Sequence, residues 1–411
     1  MSQRWSPFEV AVTGLGLVTP AGIGVRASWE RILLAAPAAA HDPALAGMPV
    51  DFSARVPGFD ADQLIGRRTA WRTDRYTHLA LVAAREALTD AGLDPATWDG
   101  TRVGVVVGNA LGGTATFEHQ HDVLREDGAD SVSPMLIPMM GISMVAGYLA
   151  IDTGATGPNL VTVTACASGT TAIGTARELL RSGKCDVVLT GGTEASLTPL
   201  IISAFTKMGA LSRRVEDPAA ASRPFDALRD GFVAAEGAGI LVLERPEHAQ
   251  ARGARVRARI TGYGASADAH HATAPDPDGA GAERAIRMAL ADAGLRPEQI
   301  DHVNAHGTST PRNDVTEAAV LRRIFGDHPA VTSIKGVTGH SLGAAGAIEA
   351  AVTVLAVQHG VVPPTANLDG QDPDIDVDVV TKQPRIMPIQ AAISNSFGFG
   401  GQNAVLVVST A

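Results

Sequence analysis

The chain has 411 residues, 45% hydrophobic and 18% charged, with 44 glycines and only 4% aromatics. That is a globular composition, long enough for two fused cores, and it excludes disordered and collagen-like classes. A net charge of −10 and two cysteines exclude a nucleic-acid footprint for the chain as a whole and a disulfide framework.

In chain order, the N-terminal "MSQRWSP" has no charged region leading into an apolar one, so no secretory leader is expected. "FEVAVTGLGLVTPAG" reads as a strand. "IGRRTAWRTDR", Ile65 to Arg75, is a basic island: a solvated face or a docking patch for an acidic partner. "ALTDAGLDPATWD" has helical apolar spacing, a terminating Gly and a following Pro, and "TRVGVVVGNALGG" is then a strand. "MLIPMMGISMVAGYLAI", Met135 to Ile151, is interrupted by Pro138, Gly141 and Gly147 and is short for a membrane span, so a buried helix is expected. No membrane partner and a reducing cytoplasm follow.

"NLVTVTA" reads as a buried strand and "SGTTAIGTARELL" as a helix, which puts Cys166 at a helix N-terminus. Free backbone N–H groups and the helix dipole there favour a thiolate. Alone, Cys166 is equally a nucleophile or a buried structural cysteine. Cys185, before "DVVLTGG", lacks that setting and reads as structural.

From Val256, "VRARITGYGASADA", "ALADAGLRPEQID" and "DHVNAHGTSTP" repeat the earlier strand, helix and strand. "GHSLGAAGAIEAAVTVLAVQHGVV" with "AAISNSFGFGG" likewise repeats the order found around Cys166. The chain therefore reads as a duplicated α/β unit, joined near residue 250. Stacked, two such units make a five-layer α-β-α-β-α sandwich, whose middle helices are narrow, small-residue and without a polar face.

Of twelve histidines, His41, His78, His119, His121, His248, His302, His328 and His359 carry no further chemical signal. His306 and His340 lie at the strand-end positions of the second unit. Zinc is the rival reading of one Cys with two His, but no third ligand has metal-type spacing, so no metal is expected. Lys335 sits at a turn before a Gly. "NSFGFGGQNA" has enough glycine for close backbone approach and for aiming N–H groups at an oxyanion. No phosphate-loop motif is present, so no nucleotide site is expected.

Taken together, "TACASG", "NAHGTSTPRND", "KGVTGHSLGAAGA", "NSFGFGGQN" and the central "ASRPFDALRDGFVAAEGAGILVLE" resemble the elongating β-ketoacyl-acyl carrier protein synthases of fatty acid and type II polyketide or polyene synthesis. The resemblance covers nearly the whole chain and implies the thiolase fold. Its halves are 1–250, with the nucleophile, and 251–411, with the histidines, the lysine and the glycine loop. It implies a decarboxylative Claisen condensation with Cys166 as nucleophile, His306 and His340 stabilising the enolate, and Lys335 paired with Glu349. Cys166 and Phe399 would form the oxyanion hole, with Phe399 as an aromatic gate freed by Gly398 and Gly400.

The same resemblance gives Thr308 and Thr310 to the pantetheine arm, Leu111 and Phe205 to the acyl pocket, and Asp268 and His271 to a mobile second loop. Arg67, Arg68, Arg72 and Lys207 would meet the acidic carrier protein. No cofactor is bound by the enzyme itself, since phosphopantetheine arrives on the carrier protein. The partners implied are that carrier and a second copy or a chain-length subunit. A non-catalytic chain-length subunit is disfavoured because Cys166 is present, and a degradative thiolase because the glycine loop has no second cysteine. Gln402 departs from the family pattern, which has Thr there.

Overall fold

The computed structural model describes residues 8–411. The expectation about a leader falls largely on residues 1–7, outside the described residues. The first half contributes β1 (Val10–Thr19), β2 (Val103–Gly108), β3 (Asn159–Thr162), β4 (Val187–Glu194) and β5 (Gly237–Glu244). The second contributes β6 (Ala258–Ala267), β7 (His302–Asn304), β8 (Ala330–Thr332), β9 (Ala391–Gly398) and β10 (Gln402–Ser409). Spatial order is β1-β5-β4-β2-β3 in one half and β6-β10-β9-β7-β8 in the other. The pattern of parallel and antiparallel pairs is also the same. Five strands shared in order and direction are the duplication read from the sequence.

The principal helices are α1 (Arg75–Ala91), α2 (Ser168–Arg181), α3 (Pro199–Met208), α4 (Ala280–Ala293), α5 (Pro311–Phe325) and α6 (Ala345–His359). The repeat has a local physical cause. β1 carries Thr-Gly-Leu-Gly and β6 carries Thr-Gly-Tyr-Gly. A side chain at Gly14 would meet the Ala87 carbonyl at 2.1 Å, and one at Gly262 would meet the Ala289 carbonyl at 2.3 Å. Glycine there lets α1 and α4 lie directly on their strands. Asp90 then accepts the Leu15 N–H at 2.9 Å, and Asp292 accepts the Tyr263 N–H at 3.0 Å. Each helix ends on a left-handed glycine, Gly92 at φ 64° and Gly294 at φ 67°, as the "DAGL" signature predicts.

α2 and α6 lie in the middle layer, packed on each other and touching strands of both halves. Their apolar residues share one core with both sheets, while α1 and the α4–α5 pair close separate outer cores. A side chain at Gly169 would meet the Ala347 nitrogen at 2.7 Å, so small residues set this helix spacing.

The two halves join where β1 and β6 pair antiparallel through Val10–Ile260, Ala11–Arg259 and Val12–Ala258, which makes one large mixed sheet. Three expectations need correction. The middle helices are not wholly apolar. Arg177 of α2 is fully buried, 2.7 Å from Asp292, and Glu349 of α6 is buried against Lys335. Ionic groups are tolerated there because each is paired. β3 is an edge strand whose Leu160 is exposed, since among the described residues it has β2 alone as neighbour. The apolar stretch from Met135 forms two short helices, Leu136–Met140 and Met144–Thr153, broken at Gly141 and exposing Ile137 and Ile151. Among the described residues, Leu342–His359 is the helical segment apolar and long enough to cross a membrane, and it is 89% buried within the protein.

Candidate active site

The chemically distinctive residues gather where strands end, the usual place for a site in layered α/β folds. Cys166 follows β3 in a turn, Ala165–Ala167, that feeds α2. His306 lies two residues past the end of β7. His340 is not at a strand end as expected: the short helix Lys335–Thr338 intervenes, and backbone bonding to Val233 and Ala235 places it. One sulfur or nitrogen atom of each of Cys166, His306 and His340 lies within 4.8 Å of the others, and all three residues are buried. They line the floor of a cavity of about 430 Å³.

Burial governs the resting protonation. It pushes the Cys166 thiol up to about 11, against the opposing pull of the Phe399 N–H and the Lys335 charge. The thiol therefore rests protonated, where a helix N-terminus alone would favour a thiolate. Burial also lowers His306 and His340 well below the ordinary range, with Lys335 adding to both and His340 to His306. The site therefore rests as a neutral thiol beside two neutral imidazoles. Among the described residues both Nδ1 atoms are buried without a partner, which leaves Nε2 of each ring to face the cavity. Peptide-level alkylation of Cys166 by iodoacetamide is expected to climb about tenfold per pH unit toward the raised value near 11. A plateau at neutral pH would contradict this electrostatic picture.

Lys335 is fully buried, not the surface lysine that its turn position allows. Its Nζ donates to Glu349 Oε1 and, at 2.6 Å, to the His306 carbonyl. Burial raises Glu349 to about 7, with Lys335 opposing. The glycine loop closes the other side. The Phe399 backbone N–H lies near enough to the Cys166 thiol to oppose its upward shift. A side chain at Gly398 would meet the Thr164 carbonyl at 2.8 Å and the Cys166 nitrogen at 3.1 Å. Gly400 adopts φ 77°, a left-handed conformation that favours glycine.

Thr308, Thr310, Asp268 and His271 also line the cavity, and the two threonine hydroxyls lie 2.9 Å apart. Asp268 ties the second loop to the glycine loop: its N–H donates to Gly401 and its carboxylate accepts from Asn403 Nδ2 at 2.6 Å. Leu111 and Phe205 pack in the apolar cluster that holds Cys166 but do not line the open cavity. Phe205 lies against Phe399, with ring centroids 6.5 Å apart. Arg67, Arg68 and Arg72 lie exposed on the helix Arg67–Arg72 and do not line the cavity. Lys207 is exposed beside Met208 at its rim.

Sequence reasoning missed three neighbours. Glu317 of α5 accepts the His306 and Gly307 N–H groups, each at 2.8 Å. Phe232 packs edge-on to His340 at 5.3 Å, and Phe397 flanks His306 at 5.9 Å. Both phenylalanines adjoin glycines in stretches already singled out, which was a usable signal; Glu317 had none.

Comparison with known proteins agrees with this geometry. Residues 8–249 match the beta-ketoacyl synthase N-terminal domain and residues 257–369 the C-terminal domain. The chain is 46% identical over 405 residues to the 3-oxoacyl-[acyl-carrier-protein] synthase 2 of Synechocystis sp., covering 97% of both chains. It is 44% identical over 412 residues to the Staphylococcus aureus (strain MRSA252) enzyme of the same name, covering 99% of both. Among solved structures, the ishigamide ketosynthase/chain length factor has TM-score 0.92 at 34% identity, over 99% of this chain and 100% of that one. A type II PKS ketosynthase solved with its acyl-carrier protein and bound to the hexaketide has TM-score 0.90 at 35% identity, over 99% and 100%. The fold is thiolase-like, a mixed α/β arrangement around a large mixed sheet, and the chain belongs to the beta-ketoacyl synthase family.

Proposed function

We propose that this ketosynthase condenses a Cys166-bound acyl chain with malonyl-acyl carrier protein, releasing carbon dioxide and giving 3-oxoacyl-acyl carrier protein, in fatty acid or polyketide elongation. The observation that carries the reading is the meeting of the Cys166 sulfur with His306 and His340 ring nitrogens within 4.8 Å. In the first half-reaction the sulfur attacks an acyl thioester, the Cys166 and Phe399 N–H groups hold the oxyanion, and the thiol proton leaves on the pantetheine sulfur. In the second, neutral Nε2–H groups of His306 and His340 bond the malonyl thioester oxygen as it becomes an enolate. Carbon dioxide leaves, the carbanion attacks the acyl-Cys carbonyl, and the expelled Cys166 thiolate takes a proton from solvent to return to the thiol. Lys335, braced by Glu349, favours neutral imidazoles, which suit hydrogen-bond donation to an oxygen gaining charge.

Residues 1–250 supply the nucleophile and 251–411 the other groups. The arm enters past Thr308 and Thr310, Asp268 and His271 belong to a second mobile loop, and the acyl chain lodges toward Leu111 and Phe205 once Phe399 moves. Arg67, Arg68, Arg72 and Lys207 offer exposed cations for the acidic carrier. Half-exposed Leu160 and Val163 at the β3 edge fit a dimer, with a second copy or a chain-length subunit. Two free cysteines suit a cytoplasmic setting, and the reaction needs no bound cofactor or metal. Incubation with malonyl- and acyl-carrier protein, chelator present throughout, should release carbon dioxide and yield a 3-oxoacyl product. Absence of product with every acyl donor and partner subunit would overturn the proposal.

Gln402 gives the gate a feature of its own. Its Nε2 donates to the Phe399 carbonyl at 3.3 Å, a bond worth ~1 kcal/mol. Gln402→Thr should therefore speed single-turnover acylation of Cys166 by about fivefold. An unchanged rate would remove Gln402 from the gate.

A further inference from the structure

The wall of the cavity changes character from floor to mouth. His306, Thr308, Thr310 and Arg312 all line it, the first three from the loop after β7 and Arg312 from the first turn of α5. Their exposure rises in that order: His306 and Thr308 are buried, Thr310 is half-buried and Arg312 is exposed. The loop and the helix start it feeds thus run from the reacting atoms to solvent.

The loop is held firmly. Gly231 donates its N–H to the Ser309 carbonyl at 3.1 Å. Arg229 donates to the Thr310 carbonyl at 3.3 Å and to the Pro311 carbonyl at 3.0 Å, and is itself paired with Asp372 at 2.6 Å. Arg312 stands on this fixed backbone with no hydrogen bond or ion pair among the described residues. The other charged side chains on the lining at that level are Asp268 and Asp230. Asp268 is engaged by Asn403. Asp230 accepts from the Ser212 hydroxyl at 2.7 Å and the Arg213 N–H at 3.1 Å, and lies 3.8 Å from Arg214. The mouth thus presents one uncommitted guanidinium.

We propose that Arg312 anchors the phosphate of a phosphopantetheine arm whose thioester end reaches Cys166. The inference rests on the proposed function and adds a recognition element for the substrate's charged end. A guanidinium matches a phosphate with two parallel hydrogen bonds. Arg312 is set at the far end of a polar ladder from the nucleophile, as the phosphate is set at the far end of the arm from its thioester. Two amides lie between, opposite the Thr308 and Thr310 hydroxyls.

The test compares acyl-phosphopantetheine with acyl-pantetheine, which lacks the phosphate, as donors to Cys166, read by intact mass over time. The wild-type protein should prefer the phosphorylated donor about tenfold, equivalent to ~1.4 kcal/mol. Arg312→Ala should bring the two donors to the same efficiency by slowing the phosphorylated one, and Arg312→Lys should keep part of the preference. Equal slowing with both donors, or no wild-type preference, would overturn the proposal. So would slowing seen with acyl-carrier protein but not with acyl-phosphopantetheine, which would make Arg312 a partner for carrier carboxylates. If neither small donor nor acyl-carrier protein acylates Cys166, the proposed function itself fails.

Discussion

Cys166→Ala is expected to abolish the acyl-enzyme and to lower condensation by about 10⁴-fold or more, the scale seen when a covalent nucleophile is removed. Mass spectrometry after incubation with acyl donor should show no adduct, whereas the wild-type protein gains the mass of one acyl group. Release of carbon dioxide from malonyl-carrier protein should persist, because His306 and His340 hold the enolate oxygen without the thiol. The fold should also persist: Cys166 is a small residue in a turn, and alanine keeps its Cβ. Condensation that survives the substitution would eliminate Cys166 as nucleophile. Loss of decarboxylation together with acylation would mean that the thiol also shapes the malonyl site.

The second large effect belongs to Lys335. Its side chain and that of Glu349 are 1% and 2% exposed, so Lys335→Met leaves a carboxyl group buried and unpaired. Breaking such a pair costs about 3–5 kcal/mol, readable as a lower denaturation midpoint. The sign of its pH dependence follows from Glu349, whose folded value is raised from 4.5 to about 7. A raised carboxyl favours the fold below its unfolded value and loses that favour as pH rises through the folded one. In Lys335→Met the carboxyl is stripped of its cation, so the loss should be smaller near about pH 5 than near about pH 8. Lys335→Met with Glu349→Leu should recover most of the stability while condensation stays low, because the cation that favours neutral His306 and His340 is gone. Recovery of activity along with stability would reduce Lys335 to a structural role.

Much of the fold was legible because its causes are local. The "DAGL" helix ends and the Thr-Gly-x-Gly strands recur in both halves, and each recurrence encodes one helix-on-strand contact, between residues 75 apart in the first half and 29 apart in the second. The small-residue helices α2 and α6 were likewise readable, since only narrow helices fit between two sheets. Edge position was not legible: β3 has the composition of a buried strand, and only the neighbour it lacks makes it an edge. The charges of Arg177 and Glu349 escaped for a related reason. Their partners, Asp292 and Lys335, lie on other elements, and pairing is a property of the assembled chain.

By itself the sequence determined the duplicated layered architecture, the family, and the residue types needed for thioester chemistry. It left Cys166 evenly balanced between structure and reactivity. Only the tertiary structure decided that a thiol after β3 and imidazoles 140 and 174 positions further along meet within 4.8 Å. It also decided their charge state. Desolvation depends on everything packed around a group, so the same folding that gathers the thiol and the two histidines makes all three neutral at rest and sets Lys335 beside them.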